Sequence, residues 1–155
     1  MAVDDRTLDE TVFRAPSFLA NPMWGSIHSN SVLWYFAESP YFDMMSNNMI
    51  LLRQLEHNAQ FSHILFNREL FEARLKTMSG LEFIVAEQPA DAGPAGTGVW
   101  VIRKQMRRKR PGEEDEVNVL GTYHIVGENI YMAPVVADLL GSRMVGSDDL
   151  AYNSL

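Results

Sequence analysis

The chain has 155 residues, the size of one domain. Apolar side chains make up 46 % and charged ones 21 %, which supports one packed core and excludes a disordered composition. A net charge of −7 argues against broad nucleic-acid or membrane binding, and the lack of cysteine excludes disulfides, thiolate catalysis and cysteine-based zinc sites.

In chain order, the polar, acidic start lacks the layout of a signal peptide. The longest compact apolar run, Met49 to Leu52, is far short of the ~20 residues a membrane helix needs. These features predict a soluble, intracellular protein. Residues 1–28 read as an extended strap. Pro16, Pro22 and Gly25 break regular structure there, while Phe13, Phe18, Leu19, Met23 and Trp24 are too apolar for a free tail. Residues 29–145 read as a single domain and 146–155 as a C-terminal tail.

Ser29 or Asn30 is expected to cap a short helix that runs through Glu38 and stops before Pro40. Ser46, Asn47 and Asn48 offer side-chain acceptors to a second helix reaching about Asn58. Asn67 opens a third, with Leu70, Phe71, Leu75 and Met78 along a stripe and Gly80 at the position of a C-terminal glycine. Strands follow at 81–87, 99–108, 117–126 and 130–133. Loops lie at 88–98 and 109–116, and a turn at Gly127-Glu128-Asn129. Pro134 suits the first position of a closing helix with Val135, Val136, Leu139 and Leu140. Helices followed by hairpin-linked strands predict an α+β fold: N-terminal helices packed on a curved antiparallel sheet of about four strands, with a C-terminal helix.

No catalytic, cofactor or metal site emerges. His28, His57, His63 and His124 are not at ligand spacing and read as surface or core histidines. Ser46-Asn47-Asn48 fits a helix cap better than an amide-lined pocket. Nothing brings two of Glu82, Glu87 and Asp91 together with a nucleophile. The glycines from 93 to 98 lack the Lys-Ser/Thr and helix of a phosphate cradle. Arg103, Lys104, Arg107, Arg108, Lys109 and Arg110 form a basic run in an otherwise acidic chain. Three readings stay open for it: a patch for an acidic protein partner, a nucleic-acid contact, or a solvated strand edge protected by charge. With only Trp100 nearby, a base-stacking platform is disfavoured.

Four blocks, in order and spanning about residues 30 to 145, resemble one family, subunit 6 of Mediator, the coactivator that links activators to RNA polymerase II. They are Val32-Leu33-Trp34-Tyr35-Phe36 through Ser39-Pro40-Tyr41-Phe42-Asp43 to Ser46-Asn47-Asn48; Gly80-Leu81-Glu82-Phe83; Trp100-Val101-Ile102-Arg103-Lys104-Gln105 with Arg107; and Tyr123-His124-Ile125-Val126 through Ile130-Tyr131-Met132-Ala133-Pro134 to Ser142-Arg143. The sequence departs from the family pattern at Trp34, where Asp is usual, and at Met44 and Met45, where a basic residue and Thr are usual. These extra apolar side chains suggest a face that packs on something.

The resemblance implies a nuclear, non-catalytic subunit of the head module, near its junction with the middle module and beside subunits 8, 11 and 17. It implies no cofactor, no metal, no membrane and no direct nucleic-acid contact, with RNA polymerase II reached through the complex. On that reading, Trp34, Tyr35, Tyr41 and Phe42 are candidate aromatic anchors, and Arg103, Lys104, Arg107 and Arg108 candidate contacts to acidic partner segments. The rival reading is a cone-shaped α+β small-molecule-binding or isomerase-like domain, with Tyr123 and His124 as the residues that could serve its interior.

Overall fold

The structure, a computed structural model, describes residues 12–90 and 98–133. The expected closing helix from Pro134 lies outside the described residues, as does most of the loop at 88–98. Within them the fold is α+β, with a short strand β1 (Val12–Phe13), helices α1 (Pro16–Ala20), α2 (Val32–Phe36) and α3 (Asn47–Glu56), a 3-10 helix (Ala59–Phe66), helix α4 (Arg68–Leu75), and strands β2 (Gly80–Glu87), β3 (Val99–Arg108), β4 (Glu116–Val126) and β5 (Asn129–Met132). All pairings are antiparallel, in the order β1-β5-β4-β3-β2. The fifth strand is β1, drawn from the strap, where Phe13 pairs with Ile130.

Local chemistry explains most boundaries. Proline in the first turn of α1 loses no needed hydrogen bond. α2 stops short of Pro40, and Ser39 Oγ donates to the Phe36 carbonyl at 2.7 Å. Asn67 caps α4, its Oδ1 accepting from Leu70 N–H at 3.1 Å. Asn58 likewise caps the 3-10 helix, which the sequence reading did not anticipate. Asn30 does not cap its own helix. Its Oδ1 instead accepts from the backbone N–H of Arg68, at the start of α4 (2.9 Å). Gly80 is not a helix terminator either. It opens β2 at φ +130°, where an added Cβ would lie 3.2 Å from the Asn47 amide nitrogen.

The helices bury one face of the sheet. Phe36 sits at the centre, with ring centroids 5.2 Å from Phe83 and 5.0 Å from Tyr123. Val32, Tyr35, Leu51, Phe71 and Leu75 from the helices close on Ile102, Ile125 and Ile130 from the sheet. The free edge of β2 is stitched to the helices by side chains. Asn48 Oδ1 accepts from Phe83 N–H at 2.8 Å, and its Nδ2 donates to the Phe83 carbonyl at 2.9 Å. Two residues on, Glu72 Oε2 of α4 accepts from Val85 N–H at 2.8 Å. An edge that would invite another strand is thereby occupied. The Ser-Asn-Asn segment expected to cap α3 thus ties it to the sheet. Asn47 Nδ2 donates to the Ser79 carbonyl, and Ser46 makes no side-chain capping bond.

Candidate interaction surface

The four aromatic candidates divide by burial. Tyr35 is fully buried, and its hydroxyl accepts from Ala15 N–H (3.1 Å) and donates to the Glu128 carbonyl, joining the strap to the β4–β5 turn. Burial raises its pKa above the usual phenol value. Phe42 is also buried, stacked on Phe83 at 5.3 Å. Both serve the fold from within. Tyr41 is half-buried against Phe36 and Tyr123. Trp34 is half-buried, anchored by a hydrogen bond from Nε1 to the Leu65 carbonyl (2.8 Å) and edge-on to Phe71.

The basic run divides too. Glu82 is wholly buried on the face of β2 opposite Phe83. It accepts from Gln105 Nε2 (2.6 Å) and from Arg107 Nε (3.1 Å) and Nη2 (2.8 Å). Arg107 also reaches Asp115 at 2.9 Å, and Lys109 meets the same carboxylate at 3.0 Å. Pairing with Glu82 lifts the Arg107 guanidinium above its ordinary pKa despite the opposing effect of burial. Hydrogen bonds from Lys109 and then Arg107 hold the Asp115 carboxyl below the ordinary carboxylate value. Arg108 pairs with Glu116 and Arg110 with Glu113 at the surface. Only Arg103 and Lys104 of the run have no ion-pair partner among the described residues. The run is therefore largely neutralised by acids of its own sheet and loop.

On the helical side, an open groove of about 630 Å³ lies between the strap, α2, α3 and the 3-10 helix. Trp34, Met49 and Leu52 line it, with Met23 and Met44 exposed at 63 % and 57 %. Glu38 and Glu56 complete the wall, and no cationic residue lines it among the described residues. Helix α3 explains the geometry. Asn48, Leu51 and Leu55 turn inward, while Met49, Leu52 and Glu56, also at i, i+3 and i+7, form a second stripe facing the groove. The apolar run Met49 to Leu52 was visible in the sequence. The groove itself, assembled from separated segments, was not. Trp34 and Met44, two departures from the family pattern, both line it.

The cone reading fails on strand geometry. Tyr123 points into the core among Phe36, Tyr41 and Phe83, whereas its neighbour His124 faces the opposite side of the sheet. Burial raises the Tyr123 pKa. Neither residue lines the groove. Among the described residues, no group of three or more His, Asp or Glu is placed to hold a metal ion. His57 Nδ1 bonds to the Arg53 carbonyl at the end of α3.

A helix-covered antiparallel sheet, a basic run largely paired with acids of its own sheet and loop, and an open apolar groove define an α+β module. The profile of the family described as MED6 mediator sub complex component matches residues 11–150, and the chain belongs to that family. It is 49 % identical over 151 residues to Mediator of RNA polymerase II transcription subunit 6 of Aspergillus terreus, covering 92 % of this chain and 46 % of that protein. The identity is 57 % over 128 residues to its Neurospora crassa counterpart, covering 76 % and 36 %. The chain thus spans less than half the length of these curated relatives. Among solved structures it resembles the Schizosaccharomyces pombe Mediator subunit Med6, with TM-score 0.63, 29 % identity, and 87 % of this chain and 83 % of that one covered. It also resembles a chain of the Schizosaccharomyces pombe Mediator head module, with TM-score 0.58, 30 % identity, and coverage of 87 % and 76 %.

Proposed function

We propose that the chain works as a non-catalytic subunit of the Mediator coactivator, in the nucleus. It serves as a protein-interaction scaffold of the head module that helps link activators and the middle module to RNA polymerase II. The observation that carries this is the family match over residues 11–150, supported by the likeness to a chain of the Schizosaccharomyces pombe head module. Subunits 8, 11 and 17 are the proposed neighbours. Among the candidate contacts, Trp34 and Tyr41 are half-buried, Arg108 is exposed, and Arg103 and Lys104 lack an ion-pair partner among the described residues. These five are proposed to meet a partner. Tyr35, Phe42 and Arg107 would support that surface from inside. Residues 1–28 are proposed to strap onto the unit formed by 29–145, with 146–155 as a tail.

Rapid depletion of the full protein from its own cells tests the proposal. Activator-dependent nascent transcription by RNA polymerase II is expected to fall within the depletion period. Unchanged nascent RNA at activated genes would refute it.

A further inference from the structure

We infer that the groove between α2 and α3 receives an amphipathic α-helix of a partner protein, with lysine or arginine flanking its apolar stripe. The inference rests on the reading that this chain is a protein-binding subunit, and it names the surface and the kind of partner.

Three observations converge. The walls are apolar and shaped by helices: Trp34 from α2 faces Met49 and Leu52 from α3. Such a channel suits a helix that presents side chains at i, i+3, i+4 and i+7. Secondly, Met23, Met44 and Met49 contribute unbranched, polarizable side chains that fit varied apolar surfaces. Two of them stand largely exposed, where burial under a partner would be favourable. Thirdly, among the described residues the charges in the wall are those of Glu38 and Glu56. Both are exposed, and neither has an ion-pair partner among the described residues. Carboxylates of one sign beside an apolar floor select a cationic flank and oppose an acidic one.

The volume alone would also suit a small molecule, since ligand pockets span ~300–1,000 Å³. The polar groups argue otherwise. A small ligand needs buried polar atoms converging on it. Ser17, Glu38 and Glu56 are exposed, and Asn21 Oδ1 already accepts from Met23 N–H at 2.9 Å. Among the described residues the wall has no buried cluster of polar groups of the kind that orients a small ligand.

The test places the photo-crosslinker benzoylphenylalanine at Met44 in the full protein, expressed in its own cells and purified with whatever assembles on it. After irradiation, mass spectrometry is expected to map the crosslink to a partner segment with apolar residues at helical spacing and flanking Lys or Arg. Glu38→Lys with Glu56→Lys is expected to lower the crosslink yield about tenfold. Glu38→Gln with Glu56→Gln, a milder pair, is expected to lower it less and guards against misfolding of the first. Co-purifying partners with no crosslink from Met44, or a crosslink to an acidic segment or to a second copy of this chain, would overturn the inference and leave the subunit reading standing. Absence of any co-purifying partner would overturn both.

Discussion

The carboxamide of Asn48 holds both backbone groups of Phe83, replacing the strand that β2 lacks on that side. Asn48→Ala leaves a buried donor and a buried acceptor unpaired, each worth about 1–3 kcal/mol, so a loss of about 2–6 kcal/mol is expected in urea unfolding. A loss below about 0.5 kcal/mol would show that the tie is dispensable. The sequence pointed to this residue type but not to this role. An Asn before a helix ordinarily caps it, whereas this one bonds 35 residues away, beyond the reach of local rules. Glu72 gives a pH signature. Burial holds its carboxyl above the ordinary value of 4.5, partly offset by the Val85 N–H. The folded state therefore binds this proton more tightly than the unfolded chain. Its contribution to stability is full below the ordinary value and is lost as pH rises through the higher folded value. Glu72→Gln keeps an acceptor for Val85, so its unfolding free energy is expected to fall less steeply with rising pH above 4.5. Parallel pH profiles for the two proteins would contradict this.

At the scale of elements, the β3–β4 hairpin and the strap are held by contacts that periodicity does not reveal. The alternation in β3 predicts a strand, and the structure has it. The basic residues at its end look like an outstretched arm only because their acids lie elsewhere in the chain: Glu82 is 25 residues before Arg107, and Asp115 is 8 after it. Arg107→Ala would leave the buried Glu82 without its cation, and a loss of about 3–5 kcal/mol is expected. Adding Glu82→Met to Arg107→Met should recover much of the loss seen with Arg107→Met alone. Strict additivity in that double-mutant cycle would deny the coupling. In the strap, Phe18 stacks on Trp24 and meets Tyr35 edge-on, both at 5.4 Å. Phe18→Ala is expected to cost about 3 kcal/mol and to open residues 20–28 to limited proteolysis. An unchanged cleavage pattern would mean that the strap is held without it.

For the whole molecule, the class of fold followed from the order of elements, because helices followed by hairpin-linked strands admit few other packings. Where the sequence reading fell short, the cause was distance along the chain. β1 is two residues long and exists only because Ile130 and Tyr131 offer an edge. The groove needs the strap, α2, α3 and the 3-10 helix in place before it has walls. Trp34 and Met44 marked its site in the sequence, but not its shape. A basic run largely paired with its own acids, a sheet edge closed by side chains and an apolar groove left open accord with the proposed role in assembly. The most direct measurement is the composition of what co-purifies with the tagged full protein from nuclear extract. Other Mediator subunits at near-equal amounts are the predicted result; recovery of the protein alone, or in a complex without Mediator subunits, would contradict the account.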